Sequence, residues 1–309
     1  VAWTTHPDFA LLSAAVCGDP ADDAPRLLAA DWLDDRGEAA HATFVRDQVR
    51  LATVPSWDDL AILARNQRRA ELSLGSPYRH ALPDLPLFLQ WHPEHAFRRG
   101  FGTGVVVRQL SGLLEAGEAL FDLAPIDELW LTAATLDEWR VLARQPWLTR
   151  IRSLHFPFGP GLIMPIRSLA ESPYATGLRE LHFDSLVTPA AGTIVEALVD
   201  SPLAPQLESL SLRMVPYDGA EEVAGHLGRA KFDALRSLSL EQSEFGGVGL
   251  DWMFHSNWFG QVTSLGLRSS MNVIRWPPID WVPETRLESI DLSENRTTNS
   301  FLDHPQLIK

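Results

Sequence analysis

LESLSL, residues 207–212, carries leucine at its first, fourth and sixth positions and polar residues between them. Leu210 and Leu212, two apart, share one face of a strand, and Ser209 and Ser211 share the other. The same apolar-x-x-apolar-x-apolar spacing recurs in IDELWL (126–131), IRSLHF (151–156), LRELHF (178–183), LRSLSL (235–240), VTSLGL (262–267) and LESIDL (287–292). The first residues of these segments lie 25, 27, 29, 28, 27 and 25 apart. So regular a period marks a repeat architecture, in which one strand-containing unit stacks on the next. GFGTGVVV (100–107), one period earlier, reads as a degenerate first copy.

Helical segments fill the spaces between the strands. TLDEWRVLARQPW, TPAAGTIVEALVDSP and DGAEEVAGHLGRA each begin near Thr or Asp and end near Pro or Gly, as helices do. Leu136, Trp139, Val141 and Leu142 recur at helical spacing in the first, and Ile194, Ala197 and Leu198 in the second. A strand and a helix per 25–29 residues resembles the leucine-rich repeat in its longer, ribonuclease-inhibitor-like form. The resemblance implies an α/β solenoid with a parallel sheet on the concave side and helices on the convex side. It also implies Asn or Cys at the ninth repeat position, to satisfy backbone groups in the turn. Here that position reads Ala134, Gly159, Leu186, Val215, Ser243, Ser270 and Asn295, so only the last conforms. Pro277, Pro278 and Pro283 interrupt residues 269–285, which predicts an irregular crossover there.

Residues 1–98 lack the repeat and read as all-helical, with helices near 7–17, 24–36, 39–53 and 56–73. The expected organisation is therefore a helical domain over 1–98 and the repeats over 99–309. In DDAPRLLAADWLDDRG (22–37), Asp22 or Asp23 can cap a helix, Pro25 suits its first turn and Gly37 its end. The longer run from His6 to Ala52 resembles the repeat-companion domain, a short helical module known chiefly from planctomycete bacteria. The resemblance rests on Asp22, Pro25, Arg26, Leu27, Ala30, Asp31, Trp32, Leu33, Asp35, Gly37, Phe44, Arg46 and Gln48, with FRRGF (97–101) resembling the junction to the repeats. It implies a scaffold and no reaction. Arg26, Asp31 and Arg46 are expected to form a buried or half-buried ion network that fixes helix geometry. The competing reading is a carboxylate metal site from Asp31, Asp34 and Asp35, with His41 nearby.

Composition narrows the function classes. Of 309 residues, 45% are apolar and 21% charged, which fits a folded chain and not a disordered one. The net charge of −14 argues against a nucleic-acid partner. The small basic patch of Arg65, Arg68, Arg69, Arg98 and Arg99 is the one candidate RNA contact. A single cysteine, Cys17, excludes disulfides within the chain and cysteine-based zinc sites. No apolar run reaches the length of a membrane span, and VAWTTHPDF has no basic segment and apolar core of a leader. A cytoplasmic location is expected. HPEH (92–95) lacks the His-Glu-x-x-His spacing of a zinc hydrolase and reads as a solvated turn. GFGTG (100–104) lacks a dinucleotide-binding context. No cofactor is expected.

Stacking the repeats predicts columns of side chains facing solvent. One column runs Trp130, His155, His182, Ser211, Ser239, Gly266 and Asp291; the next holds Asp184, Arg213, Glu241 and Arg268 as an alternating charge ladder. Trp130, His155 and His182, flanked by Glu128, Glu180 and Asp184, with Arg213 beside them, have the aromatic and charged character of a protein-binding centre. The expected function is non-enzymatic recognition of a protein partner, a basic one given the acidic neighbours. Two alternatives stand beside it: a regulator that activates a small GTPase or other nucleotide hydrolase, and a metal-dependent hydrolase using His155, His182 and Asp184.

Overall fold

The computed structural model describes residues 2–54, 77–132, 134–156, 163–186, 191–245, 247–269, 286–291 and 293. The helix expected at 56–73, all but Ser269 of the crossover expected at 269–285, and Arg65, Arg68 and Arg69 lie outside them. The chain divides into two compact units, Val1–Ala134 and Thr135–Lys309.

The first unit begins with α1 (Pro7–Gly18), α2 (Ala24–Asp34) and α3 (Ala39–Thr53). Pro7 opens α1 without wasting a donor, and the His6 imidazole accepts a hydrogen bond from the Asp8 N–H at 3.2 Å. Asp22 Oδ1 accepts from the Ala24 N–H at 2.9 Å, while Asp23, at the cap position, makes no capping bond. Val16, Ala29, Ala30, Leu33, Ala42, Phe44 and Val45 form the core with Trp3. Ala29, Ala30 and Leu33 recur at one and three residues, which gives α2 one apolar face. Gly37, at φ 79°, turns the chain between α2 and α3.

Residues 89–98 correct the all-helical expectation. They hold β1 (Leu89–Trp91) and β2 (Phe97–Arg98), and β2 pairs antiparallel with β3 (Phe101–Gly102). The expected boundary at 98/99 thus falls inside a hairpin. Gly100 makes this turn possible. Its φ is 83°, and a Cβ there would stand 2.7 Å from the Val45 Cα. β4 (Gly104–Val107) pairs antiparallel with β1 and parallel with β5 (Glu128–Leu131). Two short helices, α4 (Leu110–Ala116) and α5 (Ala119–Leu123), join β4 to β5.

The second unit alternates strand and helix. Its strands are β6 (Ser153–Phe156), β7 (Glu180–Phe183), β8 (Ser209–Leu212), β9 (Ser237–Ser239), β10 (Ser264–Gly266) and β11 (Ser289–Asp291). Each pairs parallel with the next, and the register aligns residues that hold the same repeat position: His155 with His182, Ser211 and Ser239 in turn, then Gly266 and Asp291. The fold is α/β with a mostly parallel sheet. The helices are α6 (Leu136–Leu142), α7 (Ile163–Ala170), α8 (Ala191–Val199), α9 (Tyr217–Arg229) and α10 (Gly247–Phe254). Thr135 and Glu138 form a reciprocal capping box at the start of α6. Leu181, Phe183, Leu210, Leu212, Leu238 and Leu240 are all buried, as the period requires.

The turn after β8 replaces the missing asparagine with a residue of the next repeat. Ser243, fully buried, accepts a hydrogen bond from the Val215 N–H at 3.1 Å, and its hydroxyl lies 3.3 Å from the Leu212 carbonyl. Three residues two positions beyond the last strand anchor, Met214, Gln242 and Ser269, are left-handed at φ 57°, 55° and 50°. Each donates its N–H to a carbonyl one repeat later: Met214 to Glu241 at 3.1 Å, Gln242 to Arg268 at 2.9 Å and Ser269 to Ser293 at 3.0 Å.

Candidate functional site

The residues expected to make one binding strip are divided between the two units. Glu128 and Trp130 belong to β5 in the first; His155, Glu180, His182, Asp184 and Arg213 belong to the second. Trp130 offers no exposed anchor. It is 8% exposed, and its ring lies 4.0 Å from that of His92 and 5.3 Å from that of His95. HPEH is therefore the cover of an indole and not a solvated turn. The approach is close because Gly104, whose Cβ would meet the His95 carbonyl, sits beneath the same ring.

In the second unit the register stacks two imidazoles. The His155 and His182 rings are 4.1 Å apart and 5° from parallel. His155 is buried, contrary to the solvent-facing expectation, because one ring face lies against His182 and its Nε2 is 3.1 Å from the hydroxyl of buried Ser153. His182 remains half-exposed, with Nε2 3.7 Å from Glu180 Oε2. Asp184 faces Arg213 at 3.8 Å. Among the described residues no group of three His, Cys, Asp or Glu side chains is placed to hold a metal ion.

Charges around this face are paired. Arg152 lies between Glu180, at 3.0 Å, and Glu208. Burial alone would lower the Arg152 pKa, but the two carboxylates outweigh it and raise the value. Arg213 lies between Asp184 at 3.8 Å and Glu241 at 3.9 Å, and donates to the Gln242 side chain at 3.2 Å. Asp184, Arg213 and Glu241 thus alternate in charge as the first three members of the expected ladder. It leaves Glu180 and Asp184 less free to attract a cation than their sequence positions suggested.

In the first unit, the ion network expected from Arg26, Asp31 and Arg46 separates into two. Arg46 pairs with Asp31 at 2.7 Å and with Asp34, on the surface, and these two hydrogen bonds raise its pKa. Asp31 and Asp34 are thereby paired, and His41, half-buried, packs edge-on against Trp3. Arg26 is instead 1% exposed. It donates to the Asp22 carbonyl at 2.7 Å, and its guanidinium lies 5.9 Å from the Phe101 ring centre. Burial holds its pKa below the ordinary value, opposed by Asp23. The FRRGF arginines belong to this second network, Arg98 with Asp127 at 3.0 Å and Arg99 with Asp23 at 3.3 Å. Residue type and spacing showed that these charges pair; which partners they choose depends on the β2–β3 hairpin, which no sequence pattern announced.

The surface pair sets a small expected effect. Asp31→Ala should change the free energy of unfolding by no more than about 1 kcal/mol, because an exposed ion pair is screened and Arg46 keeps Asp34. Urea melts of the two proteins check this; a loss of several kcal/mol would put Asp31 in a buried network after all.

No protein-family model matches the chain, and no curated protein matches it. No helix among the described residues is long and apolar enough to cross a membrane.

Proposed function

We propose that the chain is a non-enzymatic protein-recognition scaffold: a leucine-rich-repeat solenoid of the ribonuclease-inhibitor-like form, preceded by a repeat-companion domain. The observation that carries the reading is the in-register parallel sheet, which brings His182, Asp184, Arg213 and Glu241 into adjacent columns. These side chains are part-exposed and their charges are fixed by neighbours. Such a surface presents rigid hydrogen-bonding groups at low entropic cost. Recognition then works by matching the order of charges along the columns, with specificity set by like-charge repulsion of wrong partners. The seven-fold sequence period supports the same reading, since stacked repeats supply extended binding surfaces.

The experiment is affinity capture with the whole chain, followed by mass spectrometry, in parent and in a double variant His182→Ala with Arg213→Ala. A specific partner should be recovered with the parent and lost with the double variant, whose unchanged circular dichroism melt shows that it is folded. Equal recovery of the same partner by both would place recognition elsewhere.

A further inference from the structure

The helix α1 is apolar on every side, although only one side meets a core. Phe9, Leu12, Val16 and Cys17 turn inward or are half-buried. Ala10, Leu11, Ala14 and Ala15, on the opposite face, are exposed, and Leu11 is 72% exposed. A helix that is apolar all round is ordinarily covered all round. On the neighbouring helix α2, Leu28 is also exposed, at 58%. Small residues at 10, 14 and 15 would let a second helix approach closely, with Leu11 as the ridge between them.

The rim of this surface is acidic. Asp8 and Asp19 mark the two ends of α1; Asp22 follows; Asp31 and Asp35 stand three and seven residues after Leu28, on the same face of α2. All five are exposed. Asp8 is paired with Arg36 at 3.3 Å and Asp31 with Arg46, so the carboxylates that carry the rim are Asp19, Asp22 and Asp35, to which no cation is paired among the described residues. A second copy of this chain would bring the same acidic rim against itself, and an anionic lipid surface would be repelled.

We infer that the exposed face of α1 and α2 docks a basic amphipathic helix of a partner protein, its apolar side against Leu11 and Leu28 and its Lys or Arg residues against the aspartate rim. This is the helix-on-apolar-face mode of recognition, with charge complementarity choosing the partner and speeding its approach. The surface lies in the first unit and is independent of the sheet columns above, so either site can fail without the other.

The test uses the whole chain and defined peptides. An 18-residue amphipathic peptide of leucine and lysine is titrated by calorimetry, beside a leucine and glutamate peptide of the same pattern. The lysine peptide should bind and the glutamate peptide should not, with affinity falling as salt rises. Leu11→Ser should weaken binding about tenfold or more without altering net charge, by removing one buried leucine contact. Asp19→Asn with Asp22→Asn should weaken it further and flatten the salt dependence. Both variants are at exposed positions and should melt like the parent. Absence of binding, or binding that Leu11→Ser leaves unchanged, would overturn the assignment. So would concentration-dependent dimerisation of the parent that Leu11→Ser abolishes, since the face would then be covered by a second copy.

Discussion

Leu210→Ala should destabilise the second unit by roughly 2–5 kcal/mol, the range for a buried leucine whose neighbours cannot close over the gap. Leu210 is fully buried and aligned with Leu181 on one side and Leu238 on the other. Those neighbours are held by their own strands and cannot shift into the space without breaking register. The loss should appear as a lower melting temperature, at about 2–4 °C per kcal/mol for a unit of this size. Ser209→Ala, one residue away on the other face of β8, is the control and should move stability by less than about 0.5 kcal/mol. Equal melting of parent and Leu210→Ala would mean that the strand anchors do not form a continuous core.

Acid should weaken the first unit through His41. Its imidazole sits among Trp3, Phe44 and Tyr78, with ring centres 4.8, 5.7 and 5.6 Å away. Burial among these rings disfavours the charged form and lowers its pKa to about 4. In the unfolded chain the same group titrates near its ordinary value of about 6.5. Between these values the unfolded state binds the proton and the folded state does not, so stability rises with pH across this window. The contribution is complete above about pH 6.5 and is lost as pH falls towards 4. The change is on the order of 2–3 kcal/mol, since each tenfold difference in proton affinity between the two states is worth about 1.4 kcal/mol. Carboxylates titrate in the lower part of the window, so the measurement is a difference: urea midpoints of parent and His41→Leu at pH 7, 6, 5 and 4. The parent should lose stability faster than the variant between pH 6.5 and 4. Parallel curves would show that His41 is solvated or paired.

The repeat was legible because strand anchors are a local pattern. Leu181, Leu210 and Leu238 declare their face by spacing alone, and the register follows from the period. What the sequence could not show was anything set by contacts between distant segments. Trp130 read as an anchor because its column position faces outward, yet His92 and His95, more than thirty residues earlier, close over it. Arg26 read as one member of a network with Asp31 because the two share a helix. In the folded chain Arg26 faces Phe101 and Asp31 faces Arg46, on opposite sides of α2. The β2–β3 hairpin was missed because its strands have two residues each, too short for any alternation to register.

The turn serine has a consequence for how such chains can be rearranged. Where every turn relies on one conserved asparagine, units are interchangeable parts: one can be duplicated, deleted or moved and its turn travels with it. Here Ser243 serves the Val215 amide of the preceding unit as well as the Leu212 carbonyl. The satisfaction of one turn is thus encoded in its neighbour. Excising the unit that contains Ser243, at an in-frame repeat boundary, would hand that amide to the residue the next unit brings to the same repeat position, Ser270, and a residue without an acceptor there would strand it at a cost of about 1–3 kcal/mol. A unit can thus be moved only next to a neighbour that carries an acceptor at that position.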